Sequence, residues 1–155
     1  MTETATFGAG CFWGVEAAFR RVKGVVSTSV GYMGGHFPNP CYLDVCARIT
    51  GHAEVTQVEY NGEIVSYEQL LDIFWNIHDP TSLNRQGADR GEQYRSIIFY
   101  HTPKQEKLAR QSKLKLQQSG KYEKNIVTFI EPASEYYLAE EEHQQYFEKK
   151  RSTSI

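Results

Sequence analysis

The order of two kinds of hydrophobic pattern along the chain constrains the fold most strongly. Four short segments, residues 4–9, 25–32, 53–60 and 96–100, have the apolar or alternating pattern of β-strands. Two amphipathic segments lie between the first and second strands and between the third and fourth. Their apolar residues at helical spacing are Val15, Ala18, Phe19 and Val22 in the first and Leu70, Leu71, Phe74 and Ile77 in the second. The chain therefore begins as strand, helix, strand, strand, helix, strand.

Local signals mark where the helices begin and predict three further elements. Ser66 with Gln69 forms a capping box before the second helix, and Thr102 with Gln105 forms another before a third helix that runs to Gly120. A last strand is predicted over 126–130 and a terminal helix over 138–149.

These elements predict an α+β protein: a two-layer α/β sandwich with a ferredoxin-like (split βαβ) core and a mixed sheet. Two long loops, 33–51 and 81–94, are expected to form the active site, because loops on a rigid scaffold commonly hold function. With no linker or repeat in 155 residues, the prediction is a single domain over 1–155.

Composition excludes several classes of protein. The net charge of −2 offers no general attraction for nucleic acid or anionic membranes, so neither is an expected partner. The sequence contains no apolar run of 18 residues and no leader pattern. Three cysteines, an odd number, do not suggest a disulfide scaffold, so a cytoplasmic location is expected.

Cys11 stands in the stretch GAGCFWG, where the first strand ends and the first helix begins. The N–H groups and the positive dipole at a helix N-terminus favour thiolate over thiol, so we expect Cys11 to be reactive. Gly10 and Gly14 would leave the sulfur approachable, and Phe12 and Trp13 would flank it with rings.

Three other chemistries compete with a reactive cysteine. His52 and Glu54 share a strand face and resemble the H-x-E of zinc deaminases, but no P-C-x-x-C follows them. A zinc site would need widely spaced ligands, and its four possible residues are His36, Cys41, Cys46 and His52. For a cysteine–histidine hydrolase, the possible bases are His52, His78, His101 and His143, and nothing in the sequence places one beside Cys11. His78 is better explained as a structural residue near a helix end.

Several segments together resemble the peptide methionine sulfoxide reductase A family over residues 5–148. The matching segments are Gly10–Gly14, Gly51–Glu54, FWNIHDPT (74–81), NRQG (84–87) with Asp89 and Gln93–Ser96, and AEEEHQQY (139–146). The resemblance implies reduction of the S epimer of methionine sulfoxide, free or in proteins, through a cysteine sulfenic acid.

The resemblance also implies roles for individual residues. Cys11 would be the nucleophile and Glu54 the proton donor, which requires a desolvated carboxyl. Tyr42 and Tyr94 would hydrogen-bond the sulfoxide oxygen, Asp89 would organise nearby polar groups, and Phe12 and Trp13 would bind the S-methyl group. No bound cofactor or metal is implied, and the protein is expected to act as a monomer.

The route by which Cys11 is reduced again remains open at this point. Many relatives have a recycling cysteine in a C-terminal tail, but FEKKRSTSI (147–155) has none. The resolving thiol is predicted to be Cys41, or with less support Cys46, or an external thiol such as thioredoxin. A protein that uses Cys11, Cys41 and Cys46 to bind metal or sense redox state without turnover is the competing hypothesis.

Overall fold

A computed structural model of the protein describes residues 2–153. Its helices are α1 (Phe12–Arg20), α2 (Tyr42–Cys46), α3 (Tyr67–Asn76), α4 (Pro103–Gln118) and α5 (Tyr146–Thr153). Its strands are β1 (Thr2–Ala9), β2 (Val25–Met33), β3 (Ala53–Asn61), β4 (Arg85–Gln86), β5 (Asp89–Arg90), β6 (Ser96–Tyr100), β7 (Phe129–Pro132) and β8 (Tyr137–Leu138). The combination of helices with a mixed sheet confirms the predicted α+β class.

Six of the strands form one sheet in the order β7-β6-β1-β3-β2-β8. All neighbours are antiparallel except β6 and β7, which are parallel. Strands β4 and β5 form a separate two-residue hairpin. The central strand β1 is thus paired on both sides, which fixes the position of its C-terminal end.

Helices α1, α3 and α4 pack on one face of this sheet. Phe7 of β1 stacks on Phe19 of α1 and Phe74 of α3 at centroid distances of 5.1 and 5.2 Å, in a core that also contains Ala109 of α4. The opposite face holds a smaller cluster around Phe99, which is covered by the chain near Tyr136. Strands β3 and β6 therefore contribute residues of opposite faces to two different cores.

The predicted helix starts are confirmed. The Ser66 hydroxyl accepts from the N–H of Gln69, and the Gln69 side chain accepts from the N–H of Ser66. Thr102 caps α4 in the same way, but the side chain of Gln105 accepts from His101 rather than from Thr102. The long loops are more regular than predicted, since the first contains α2 and the second contains the β4–β5 hairpin.

The C-terminal predictions were wrong in detail. The last long strand lies at 129–132 instead of 126–130, and residues 138–149 are not one helix. They form β8, a 3-10 turn at 141–143 and the start of α5. The reason is tertiary: the Gln144 side chain bonds to both backbone groups of Val30, and the N–H of Gln145 donates to Glu16. These contacts hold the segment in an extended path that its helical pattern does not indicate.

None of the helices within residues 2–153 is both long and apolar enough to cross a membrane. Residues 1, 154 and 155 of the predicted domain lie outside the described residues.

Candidate active site

The strand register brings Glu54 to the place where β1 becomes α1. Phe7 pairs with Thr56, so antiparallel pairing places Glu54 beside the C-terminal end of β1. On the other side of β3, Glu54 pairs with Tyr32 of β2. The backbone N–H of Phe12, the residue after Cys11, donates to Oε1 of Glu54 at 3.2 Å. Two segments separated by more than forty residues therefore meet through a hydrogen bond.

Cys11 is the N-cap residue of α1 and is half-buried. The preceding Gly10 has a φ of +94°, and a Cβ there would lie 2.9 Å from the Cβ of Gln86, so the turn requires glycine. The predicted preference for thiolate is not found in this resting state. Burial raises the pKa of the Cys11 thiol to about 11, assisted by the charges of Glu54 and Asp89. The N–H groups of Trp13 and Gly14 act in the predicted direction but are outweighed.

Glu54 is the most strongly desolvated carboxyl of the site, with 1% of its surface exposed. Burial raises its pKa from 4.5 to about 8; the Phe12 N–H opposes this effect and the charge of Asp89 adds to it. The second oxygen, Oε2, is buried and has no hydrogen-bond partner among the described residues. A protonated carboxyl with a free oxygen can donate to a ligand.

Tyr94 and Asp89 approach from the second long loop. Asp89 lies in β5 and is exposed, and Tyr94 ends a 3-10 turn at 92–94. Burial and the charge of Glu54 raise the pKa of the Tyr94 hydroxyl to about 12, with smaller effects from Cys46, Asp89 and Cys11. Tyr94 therefore stays protonated at neutral pH and can donate a hydrogen bond. The charges of Cys11, Glu54 and Asp89 all raise the pKa of Tyr94, so its hydroxyl shares the electrostatic environment of the thiol.

Tyr42 begins α2 and extends the site with a wall of rings. Its ring centroid lies 6.5 Å from those of both Phe12 and Trp13. Phe12 is fully buried and also contacts Tyr32 at 5.7 Å. Trp13 is half-buried and stacks on Tyr146 at 3.8 Å with an interplanar angle of 7°. The seven predicted site residues are thus gathered at one end of the sheet.

Four residues that the sequence interpretation did not assign complete this wall: Tyr32, Glu140, His143 and Tyr146. The His143 ring lies 4.5 Å from that of Tyr42, and its Nδ1 accepts from the indole N–H of Trp13 at 3.1 Å. Glu140 accepts from the hydroxyl of Tyr32 and from the N–H of Tyr42. The segment AEEEHQQY carries part of the family resemblance, but only the structure shows its contacts.

The two remaining cysteines have different surroundings. Cys41 is the exposed N-cap residue of α2, where its N–H donates to the carboxylate of Asp44. Cys46 is half-buried and lies one helical turn after Tyr42. Burial raises the pKa of the Cys46 thiol, and the charge of Glu54 adds to the effect. Cys46 therefore lies on the site's side of α2, whereas Cys41 faces the start of the helix.

Two of the histidines considered as metal ligands or bases, His52 and His78, are engaged elsewhere. His52 accepts from Gly35 N–H at Nδ1, and its Nε2 lies 2.7 Å from the carbonyl of Phe37. His78 lies 2.6 Å from the carbonyl of Phe74 and 2.7 Å from the hydroxyl of Ser96, and burial lowers its pKa to about 4. The His78 contacts agree with the structural role predicted for it.

One group in the described part of the chain has the spacing of a cation site, Glu140 with Glu142 and His143, whose ligand atoms lie within 4.8 Å of one another. Both Glu140 oxygens already accept hydrogen bonds, so we assign this residue to packing of the wall.

Comparison with known sequences identifies the family. The family profile described as peptide methionine sulfoxide reductase matches residues 3–155. The protein named peptide methionine sulfoxide reductase MsrA 1 from Nostoc sp. is 74% identical over 147 residues, covering 95% of this chain and 90% of that protein.

Solved structures agree with this assignment. Mxr1 from Saccharomyces cerevisiae in reduced form superposes with a TM-score of 0.91 at 37% identity, covering 99% of this chain and 88% of that one. Mxr1 in complex with Trx2 superposes with a TM-score of 0.66 at 29% identity, covering 94% of this chain and 84% of that one. With a profile match over nearly the whole length and a relative of this identity, the chain belongs to the peptide methionine sulfoxide reductase A family.

Proposed function

We propose that this chain reduces methionine sulfoxide to methionine, with Cys11 as the nucleophile and Glu54 as the proton donor. One observation carries the assignment of roles: a buried carboxyl, with its pKa raised to about 8, is hydrogen-bonded to the residue that follows the cysteine. A sulfoxide oxygen is a poor leaving group, so the reaction needs an acid that is still protonated at neutral pH. Glu54 meets that requirement, and an ordinary glutamate would not.

The reaction balances with the groups present. The Cys11 sulfur forms a bond to the sulfoxide sulfur, and Glu54 gives its proton to the sulfoxide oxygen. The thiol proton restores Glu54. The oxygen then passes to the Cys11 sulfur as the bond between the two sulfurs breaks, releasing methionine and leaving a cysteine sulfenic acid. Cys11 is oxidised by two electrons and the sulfoxide is reduced by two.

The raised pKa of Cys11 fits this sequence of events. A thiol with a pKa of about 11 is almost fully protonated at pH 7, so the nucleophile must form while substrate is bound. Proton transfer to the sulfoxide places positive charge beside the sulfur and favours the thiolate. The attack and the protonation would therefore be coupled.

The remaining residues would orient the substrate. Tyr42 and Tyr94 are assigned to hydrogen-bond the sulfoxide oxygen, and Asp89 to organise the polar groups beside them. Phe12 and Trp13 would hold the S-methyl group against their rings, since apolar burial of a methyl group is favourable. A methyl pocket on one side and oxygen donors on the other would accept one configuration at sulfur, and the S epimer is the proposed substrate.

Enantiopure sulfoxides test the function directly. Free and N-acetylated S-methionine sulfoxide, incubated with the protein and dithiothreitol, should yield methionine and N-acetylmethionine respectively, measured by chromatography, and the R epimers should not be reduced. Equal reduction of both epimers would contradict the proposed arrangement of methyl pocket and oxygen donors. Release of no methionine from either would contradict the proposed activity.

For regeneration we propose a thiol route ending in a thioredoxin-like reductant, since a structural relative is described in complex with Trx2. A protein thiol would attack the sulfenic acid, releasing water and forming a disulfide that the external dithiol reduces. The proposed resolving residue remains Cys41 or Cys46. Exposure to a reductant supports Cys41, and a position on the Tyr42 face of α2 supports Cys46.

Thiol counting after one turnover separates these routes. An internal disulfide would lower the free thiols from three to one, and peptide mapping would identify the partner of Cys11. Cys41→Ser and Cys46→Ser form a matched pair, and the variant that blocks thioredoxin-driven turnover while sparing the first turnover identifies the resolving thiol. Two free thiols together with a persistent sulfenic acid would show that an external thiol, and no second cysteine of this protein, reduces Cys11.

We further propose that residues 1–155 form one domain with a ferredoxin-like core. The order β6-β1-β3-β2, with antiparallel neighbours throughout, supports the split βαβ pattern. A monomer without bound cofactor, acting in the cytoplasm, is also proposed. Three unpaired thiols are compatible with a reducing compartment, and light scattering would test the monomer.

A further inference from the structure

We propose that His143 is a positioning residue for substrate binding, which fixes the indole of Trp13 and the ring of Tyr42 in the orientations the substrate requires. This inference rests on the proposed function. It gives a role to the segment at 139–146, whose contacts the reaction described above does not use.

His143 lies between the two aromatic residues assigned to the substrate. It is 6% exposed, and its ring centroid is 4.5 Å from that of Tyr42 and 5.7 Å from those of Phe12 and Trp13. It also accepts the indole N–H of Trp13 at Nδ1. No other residue in the described part of the chain makes ring contacts with all three.

The hydrogen bond fixes the state of the imidazole. An indole N–H can only donate, so Nδ1 of His143 must be unprotonated, and the proton of the neutral ring lies on Nε2. The bond holds the indole at one edge, while Tyr146 covers one face at 3.8 Å. Rotation of Trp13 about its side-chain bonds would break both contacts.

The backbone that carries His143 is anchored without this hydrogen bond. Gln144 donates to the carbonyls of Val30 and Ala139 and accepts from the N–H of Val30, each at 2.9 Å. The N–H of Gln145 donates to the buried carboxylate of Glu16 at 2.7 Å. These bonds attach the segment to β2 and α1. Replacement of the His143 side chain should therefore leave the segment in place and act on the rings.

Two substitutions separate the two contacts that His143 makes. His143→Phe keeps a ring against Tyr42 but removes the acceptor for Trp13, and His143→Asn keeps an acceptor near the position of Nδ1 but removes the ring. His101→Phe is the matched control, since His101 is exposed and bonds to Thr6, remote from the rings of the site.

Single-turnover reduction of the S-sulfoxide gives the decisive readout. His143→Phe should raise the substrate concentration for half-maximal rate about five- to tenfold, the effect of one lost hydrogen bond, while the saturating rate changes less than about twofold. His143→Asn should recover most of that loss. Tryptophan emission should shift in His143→Phe but not in the control, because Trp75 is unaltered in all the proteins and Trp13 alone changes environment.

The outcomes are distinguishable. An unchanged half-saturation and unchanged emission in His143→Phe would overturn the proposal, and so would an equal fall in the saturating rate of both variants with binding intact. If thermal unfolding shows that His143→Phe does not fold, His143→Asn alone decides. A half-saturating substrate concentration near that of the wild type supports the proposal, and one raised about five- to tenfold refutes it. Failure of the wild-type protein to reduce the sulfoxide would instead refute the proposed function.

Discussion

Replacement of Glu54 by glutamine tests the proton donor directly. The substitution keeps the shape of the side chain and an oxygen that can accept from the N–H of Phe12, but it removes the transferable proton. With a pKa of about 8, Glu54 is about nine-tenths protonated at pH 7, whereas at its ordinary value only about one molecule in 300 would be. We therefore expect Glu54→Gln to slow the first turnover by about 100-fold or more.

The same substitution should change how stability depends on pH. The pKa of Glu54 is raised in the folded protein, so its stabilising contribution is complete below pH 4.5 and is lost as pH rises through about 8. Each pKa unit corresponds to about 1.4 kcal/mol, so ionised Glu54 costs the folded state at most about 5 kcal/mol. Relaxation and entry of water would reduce that figure. The free energy of unfolding of Glu54→Gln should fall less between pH 5 and pH 8.5 than that of the wild type.

Rapid-quench measurement of methionine release over pH 6–9.5 and urea unfolding at the two pH values would check these expectations. The wild-type rate should fall above pH 8, because the acid form is then depleted. Other titrating groups, including His78, are common to both proteins and cancel in the comparison. A Glu54→Gln protein that keeps a tenth of the wild-type rate at pH 7, or a stability difference that does not vary with pH, would refute the reasoning.

Three further predictions rest on other contacts. Cys11→Ser should abolish methionine release in the rapid-quench assay, and measurable release would contradict its role as the nucleophile. Gly10→Ala should lower the free energy of unfolding by about 2 kcal/mol or more, since it adds a clash with Gln86 to an unfavourable φ. In the control Gly120→Ala, no atom lies within 4 Å of the added Cβ, so the free energy of unfolding should fall by only about 1 kcal/mol. Tyr67→Phe should raise the free energy of unfolding in urea, because the buried Tyr67 hydroxyl has no hydrogen-bond partner within residues 2–153; a fall of more than about 1 kcal/mol in that free energy would contradict this.

The sequence was sufficient where local physics decides the structure. Ser66 and Thr102 cap the helices that they were expected to cap. Each cap is a hydrogen bond between a side-chain oxygen and a backbone N–H only three positions along the chain, so the local sequence is enough to predict it. The strand at 96–100 was predicted with its exact bounds. The terminal segment was mispredicted because Gln144 and Glu16 satisfy its backbone through distant partners. A local sequence pattern cannot predict hydrogen bonds between residues so far apart in the chain.

The candidate site shows the same division. The sequence alone indicated a reactive cysteine between glycines and rings, and the family resemblance supplied its partners. Only the tertiary structure decided the protonation of these groups: the helix N-terminus favours thiolate, yet burial outweighs it at Cys11 and also raises the pKa of Glu54. His143 meets Trp13 across 130 positions of the chain. Desolvation and long-range contacts depend on which surfaces the fold brings together, and that information exists only once the sheet has formed.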